Sequence, residues 1–432
     1  MRFYNTNKKS ASVSLKEAAL KGLASDGGLF MPQRIPRLPD KFFKTIQALS
    51  FQDISFAVAK NFLGADISDN DLRKIVDSAI NFDAPLKKLS GNIFALELFH
   101  GPTAAFKDFG ARFAGRLLAY LRGDSKDKLI ILVATSGDTG SAVASGFFNV
   151  PCTQVVILYP SGRVSNLQEK LLTTMGGNVL ALEIKGTFDD CQGLAKQAFV
   201  DAELNNHLRL TSANSINIAR LLAQLFYYFY GWAQLKNQND NVVISVPSGN
   251  FGNLTAGLMA KRMGLPVAKF IAATNINDVF GEYLKTGKFR PRLSRPTISN
   301  AMDVGNPSNF ARMLELYDHD VNKIRADVFH ARFTDAQTKK AISQVFQKYR
   351  YLMDPHTAIG YLGLTHYQKI HHNCNGIFLA TAHPAKFSEI IEETLKQKIE
   401  IPKRLKKYQR RKKQSVVLPN EFKALKNFLL NL

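Results

Sequence analysis

The stretch from Leu129 to Phe148 reads LIILVATSGDTGSAVASGFF, and the stretch from Asn241 to Gly264 reads NVVISVPSGNFGNLTAGLMAKRMG. Both follow one plan. An apolar run leads into Ser-Gly-[Asp/Asn]-x-Gly, at Ser136–Gly140 and Ser248–Gly252, and then into a helix. A short apolar run closed by glycine reads as a strand buried on both faces. Strand, turn and helix repeated in this order predict βαβ units and a mostly parallel sheet.

Working outward, further apolar runs fit the same scheme. They are Phe94–Glu97, Val155–Leu158, Val179–Ile184, Phe270–Thr274 and Gly376–Ala380, beside Leu129–Ala134 and Val242–Val246. The expected fold class is α/β, with open twisted, mostly parallel sheets. Residues 1–90 read as a helix-rich N-terminal domain. SVSLKEAALKGLAS starts at a capping serine, Ser12 or Ser14, with Glu17 three residues after Ser14. DGGLFMPQRIPRLP reads as a Gly/Pro loop, and NDLRKIVDSAINF as a second short helix. The expected division is 1–90, then an α/β domain over 91–235, then a second over 236–432.

Composition narrows the class. Hydrophobic residues make up 45% of the 432, enough for sizeable cores. No run reaches the roughly 20 apolar residues that a spanning helix needs, and the start lacks the apolar region of a secretory signal. The 3 cysteines, Cys152, Cys191 and Cys374, are far apart, which fits a reducing, cytoplasmic setting and no zinc pair. HHNC at His371–Cys374 reads as a surface loop rather than a metal site. The net charge of +22 permits nucleic-acid binding, but no RNA- or DNA-binding pattern accompanies it. Much of that charge lies in PKRLKKYQRRKKQ, Pro402–Gln414, read as a solvated basic segment. No metal-binding motif, P-loop or G-x-S-x-G elbow occurs.

The two glycine turns differ in charge. A glycine turn opening a helix offers backbone N–H groups and the helix dipole to an anion. Asp138 places a carboxylate in the first turn, whereas Ser248, Gly249, Asn250, Phe251, Gly252 and Asn253 are uncharged, so a phosphate belongs on the second. A lysine completes the picture. In FHGPTAAFKDFGARF, Phe99–Phe113, the positions Phe106, Phe109, Phe113, Leu117 and Leu121 mark the core face of a helix expected to begin near Ala104. Lys107 lies off that stripe, above Gly110 and Ala111, where something bulky could approach. Desolvation there would lower its pKa from roughly 10.4 and give a neutral amine able to attack an aldehyde. The alternative is a snorkelling lysine with a solvated ammonium. An amine, an uncharged phosphate loop and a hydroxyl for a ring nitrogen, Thr381 in FLATAHPAKF, are together what pyridoxal phosphate needs.

ELFHGPTAAFKDFGARF, ATSGDTGSAVA, VILYPSGRVSNLQEKL, SANSINIARLLAQ, ISVPSGNFGNLTAGL, AATNINDVF, SNAMDVGNPSN and TAHPAKF also resemble the threonine synthase family, in family order over most of the chain. The resemblance implies a fold-type II, tryptophan-synthase-β-like pyridoxal-phosphate enzyme of two α/β domains with helices on both sheet faces and an added N-terminal domain. It implies conversion of O-phospho-L-homoserine and water to L-threonine and phosphate, a small-molecule chemistry without a nucleic-acid partner. Lys107 would carry the cofactor, Ser248–Asn253 its phosphate, and Thr381 would face its pyridine nitrogen. Ser136, Gly137, Asp138 and Thr139 would lie near the substrate and the cofactor's 3′-oxygen. Many fold-type II relatives carry Asn where Asp138 stands, so Asp138 calls for a protonated partner or a nearby lysine. Arg163, Arg220 and Lys386, with Ser212, Asn214, Ser215 and Asn217, are the candidates for the substrate. His100 and His383 are lesser candidates for proton relay. The rival readings are a related phospholyase that adds no water at Cβ, and a non-catalytic basic binding protein.

Overall fold

Three apolar runs form strands in which every residue is buried: LIILVA at 129–134 and VVISVP at 242–247, each leading into a glycine turn, and NGIFLA at 375–380. A strand hidden on both faces belongs inside a parallel sheet covered by helices. The computed structural model describes residues 1–7, 12–236 and 241–432. Its strands are β1 (Arg2–Asn5), β2 (Ser12–Ser14), β3 (Phe30–Pro32), β4 (Leu86–Ser90), β5 (Ile93–Glu97), β6 (Leu129–Ala134), β7 (Thr153–Pro160), β8 (Val179–Lys185), β9 (Arg209–Ser212), β10 (Val242–Pro247), β11 (Lys269–Thr274), β12 (Val328–Arg332), β13 (Asn375–Ala380) and β14 (Val416–Pro419).

The larger sheet runs β12-β11-β10-β13-β5-β4, parallel except for the antiparallel β4–β5 pair. The smaller runs β14-β8-β7-β6-β9 and is parallel throughout. The mostly parallel α/β expectation therefore holds. One consequence matters for chemistry. β10, β13 and β5 are consecutive neighbours, with Ser245 opposite Phe378 and Ala380 opposite Glu97. The loops leaving their carboxyl ends begin at Ser248, Thr381 and Leu98. Loops at adjacent carboxyl ends of such a sheet are where α/β sites form.

The N-terminal segment contains more than helices. β1, β2 and β3 make an antiparallel sheet in the order β2-β1-β3, so part of the expected Gly/Pro loop is strand. Strands of three or four residues are too short to show alternation in the sequence. The helix Leu15–Lys21 is capped by Ser14, whose side chain accepts from the Glu17 N–H. The sheets also divide the chain differently from the expected boundaries at 91 and 236. β5, from the first expected α/β segment, lies in the larger sheet, and β14, from the end of the chain, lies beside β8 in the smaller. Which sheet accepts a strand is set by its neighbours in space, not by its place along the chain.

The helices used below are α1 (Lys107–Arg122), α2 (Asp138–Phe147), α3 (Asn166–Thr173), α4 (Ile218–Ala223), α5 (Gly252–Arg262), α6 (Pro355–Ile370) and α7 (Lys403–Gln409). α1 begins at Lys107 rather than near Ala104, because Ala104 sits in the left-handed region with φ 57°. Its expected core face is buried, with Phe109, Phe113 and Leu117 at 0% exposure. The space expected over Gly110 is not open. A Cβ there would lie 3.0 Å from the Arg220 carbonyl oxygen, so α4 passes over it at backbone distance.

Candidate active site

Lys107 is delivered by a tightly tied loop. After β5, Leu98 donates to the Ala380 carbonyl at 2.9 Å, Phe106 N–H donates to the Thr381 carbonyl at 2.9 Å, and His383 N–H donates to the Ala104 carbonyl at 3.0 Å. Asp108, at 0% exposure, accepts from the Thr103 N–H at 2.9 Å and the Thr103 hydroxyl at 2.6 Å. These bonds hold the left-handed Ala104, a conformation that costs an L-residue about 1–2 kcal/mol. Lys107 thus enters the first helical position one residue after an N–H fastened to Thr381. Its Nζ lies 3.6 Å from Asp138 Oδ2 and 5.0 Å from the centre of the Phe106 ring. Burial pushes the Lys107 amine below its ordinary pKa. Asp138 opposes this, while the Lys386 and Arg220 cations push the same way as burial.

Asp138 opens α2 and has the lysine partner its position calls for. Lys386 Nζ is 2.6 Å from Asp138 Oδ1, and Gln168 Nε2 donates to the same oxygen at 2.9 Å. Burial alone would raise the Asp138 carboxyl, but Lys386 and then Lys107 outweigh it and hold it well below the usual carboxylate range. Gly137 precedes it at φ 135°, and a Cβ there would meet the Gln168 amide at 2.7 Å, so only glycine fits that turn. Ser136 and Thr139 remain partly exposed beside it.

The second glycine turn is built differently. Phe251 adopts φ 58° ahead of α5. The first N–H groups of α5 have no acceptor within the helix and point out of its start. Asn253 Oδ1 accepts from the Tyr227 and Tyr228 hydroxyls, both at 2.7 Å, while its buried Nδ2 has no acceptor among the described residues. No carboxylate stands in this turn. Ser248 and Asn250 face inward to the protein: the Ser248 hydroxyl donates to the Val246 carbonyl at 2.8 Å, and Asn250 Nδ2 donates to Ser215 Oγ at 2.8 Å. Gly249 and Gly252 are packed close, the first against Met302 and the second against Asn309 and Ser215.

Thr381 is buried, and its N–H donates to the Thr357 hydroxyl oxygen at 3.2 Å. That hydroxyl donates in turn to Asp354, the cap of α6, which also takes His356 Nδ1 at 2.7 Å. Arg220 is 2% exposed. Its Nη1 donates to the Ala213 carbonyl at 2.6 Å, and its buried Nε has no acceptor among the described residues. Burial pushes its pKa down to about 10, with Asp108 opposing. The Asn214 N–H donates to Ser212 Oγ at 3.2 Å, and Asn217 caps α4.

Other expectations are placed elsewhere. Arg163 is exposed, and the carboxylate its charge reaches is Asp190. Lys386 is wholly buried and committed to Asp138 at 2.6 Å and to the Thr103 carbonyl at 3.0 Å. His100 pairs with Glu97 at 2.8 Å, and His383 accepts from the Ala385 N–H. Gln168, Asp108, Asp354 and Arg312 were not foreseen. Arg312, at 0% exposure, donates to the carbonyls of Phe30 and Ile216 and to Asn309, and so braces the Ser215 turn. Gln168 and Arg312 carry no local signature because the partners that matter, Asp138 and Phe30, lie far along the chain, whereas Asp108 and Asp354 act on near neighbours, Thr103 and the first turn of α6. Beside Lys386 and Gln168 lies a pocket of about 310 Å³, lined also by Ser165, Thr297, Asn300 and Ser388.

The basic segment is not simply solvated. In α7, Leu405 and Tyr408 are buried, and Arg404 donates to the carbonyls of Phe99 at 2.7 Å and His100 at 3.1 Å. Lys413 pairs with Glu169 and Glu183, both at 2.6 Å. No helix among the described residues is long and apolar enough to cross a membrane.

The family model described as Threonine synthase N terminus matches residues 2–80, that described as Pyridoxal-phosphate dependent enzyme matches 80–374, and that described as Threonine synthase, C-terminal matches 357–429. The chain is 45% identical over 431 residues to a threonine synthase of Haemophilus influenzae, covering 100% of both. It is similar to the crystal structure of threonine synthase from Escherichia coli, with a TM-score of 0.93, 43% identity and 100% of both chains covered. A pyridoxal-phosphate-bound threonine synthase structure from Brucella melitensis gives a TM-score of 0.93 at 35% identity, covering 100% of this chain and 99% of that one.

Proposed function

The chain belongs to the threonine synthase family of pyridoxal-phosphate enzymes, and from that premise we propose that it converts O-phospho-L-homoserine and water to L-threonine and phosphate. It is a pyridoxal-phosphate-dependent lyase. One observation carries the site assignment. A largely sheltered lysine, its side chain 15% exposed and its amine 3.6 Å from Asp138, directly follows the residue whose N–H is fastened to Thr381.

The residues present fit the cofactor. Lys107 would hold its aldehyde carbon. The N–H groups opening α5, with Asn253 Nδ2, which has no acceptor among the described residues, beside them, would hold its phosphate. The Thr381 hydroxyl would face its pyridine nitrogen. When bound, the cofactor supplies an electron sink for the charge left on the substrate by proton loss. Lys107 acts as the base: its amine takes the proton from the substrate's Cα, and desolvation favours the neutral form this needs. Arg220 Nε, buried and with no acceptor among the described residues, would bind an oxygen of the leaving phosphate, with Ser212, Asn214 and Ser215 alongside. Ser136, Gly137 and Thr139, opening α2, would hold the substrate's carboxylate.

Supplying O-phosphohomoserine and following threonine, phosphate and 2-oxobutyrate tests the reaction. One phosphate per threonine is expected. Oxobutyrate without threonine would make the protein a phospholyase instead. Lys107→Ala is expected to remove the visible absorbance of the bound cofactor, and retention of that absorbance counts against Lys107.

A further inference from the structure

Two lysines converge on one buried carboxylate. Lys386 reaches Asp138 Oδ1 at 2.6 Å, the length of a charge-assisted hydrogen bond, while Lys107 stands 3.6 Å from Oδ2. The contacts are unequal, and they arrive from different elements. Lys386 comes from the turn after β13, has 0% side-chain exposure, and spends a second donor on the Thr103 carbonyl in the loop that delivers Lys107. Gln168, from α3, adds a neutral donor to the oxygen that Lys386 holds. A single carboxylate charge shared this way leaves the farther lysine with little to pair with. The other charged groups around it are Arg220 from α4 and Asp108 on α1 itself, with Arg404 from α7 facing Asp108 and His383 close to Lys386.

We propose that Lys386 is a positioning residue: by taking up the charge of Asp138, it prevents that carboxylate from capturing Lys107 as an ammonium and leaves the Lys107 amine free to react. The proposal rests on the reading of Lys107 as the cofactor lysine. It gives Lys386 a task that needs no contact with substrate, and it accounts for a lysine buried completely between two loops. Removing Lys386 transfers Asp138 to Lys107 and raises the pH at which Lys107 becomes reactive. Removing both charges cancels the effect.

The test uses the full-length chain stripped of cofactor. The rate at which an acetylating reagent modifies Lys107 is followed against pH by mass spectrometry of the peptide that carries it. Lys386→Met is expected to move the midpoint of reactivity up by about one pH unit or more, the size of shift an opposite charge at this range produces. Lys386→Arg should leave it near the wild-type value, and Asp138→Asn with Lys386→Met should bring it back down. A wild-type midpoint in Lys386→Met, or a double variant as high as the single, overturns the proposal. Where Lys386→Met does not fold, Asp138→Asn alone and the double variant carry the same comparison. With no carboxylate left to share, adding Lys386→Met to Asp138→Asn should leave the midpoint in place, and a rise of about one pH unit would show direct repulsion between the two lysines and overturn the idea. A lysine that only binds substrate phosphate would raise KM and leave every midpoint in place. The labelling needs no cofactor, so its failure counts against Lys386, whereas cofactor absorbance surviving Lys107→Ala counts against the site assignment beneath it.

Discussion

At the scale of single residues, the site depends on polar groups taken out of water and then satisfied. Asp108 is buried, yet its carboxylate receives two donors from Thr103, and this closes the turn that sets Lys107 at the start of α1. Two histidines show the opposite balance. Burial pushes the pKa of His383 down to about 4, with Arg404 and His100 adding to it, and burial likewise pushes His330 down to about 4. In the unfolded chain each would titrate near 6.5. Between these values the unfolded state binds the protons and the folded state does not. Stability from both groups is therefore present above pH 6.5 and is lost as pH falls towards 4. The melting temperature should drop across that window, and the combined His330→Gln, His383→Gln variant should drop less from its own starting point. Equal drops would show that other groups dominate acid sensitivity.

At the scale of elements, α1 and α2 meet backbone to backbone. A Cβ on Gly115 would lie 2.4 Å from the Gly146 carbonyl oxygen, and one on Gly146 would lie 2.6 Å from the Ala111 carbonyl carbon. The contact fixes the distance between the helix bearing Lys107 and the helix opened by Asp138. Neither neighbour is a flexible side chain that could step aside. Gly146→Ala should therefore cost about 1–3 kcal/mol, measured as a lower denaturant midpoint with unchanged slope. It should also weaken cofactor retention, because the gap between Lys107 and Asp138 widens with the helices. A variant as stable as the parent would show that the pair can separate freely.

At the scale of the whole molecule, the end of the chain crosses back to hold the beginning of the site. α7 places Arg404 on the Phe99 and His100 carbonyls, and β14 then joins the smaller sheet beside β8. Arg404→Ala should lower stability by about 1–3 kcal/mol and speed amide exchange over Phe99–Lys107 more than elsewhere, read by mass spectrometry. Uniform exchange would mean the strap does not brace that loop. Part of this organisation is present in the amino-acid order itself. Buried strands declare themselves through uninterrupted apolar runs, as at Leu129–Ala134, and the glycine turns mark where strands hand over to helices. The difference in charge between Ser136–Gly140 and Ser248–Gly252 also separates the two anion-binding prospects. These are local properties, decided by neighbours within a few positions. Partnership across the fold is not. That β5 lies between β13 and β4, that the turn after β13 buries Lys386 against Asp138, and that the basic segment folds down as a strap all depend on groups hundreds of residues apart. A lysine, a carboxylate and a run of basic residues look the same in sequence whether solvated or buried. Only the tertiary structure removes the water between them and so decides which charges pair and which amine is left free.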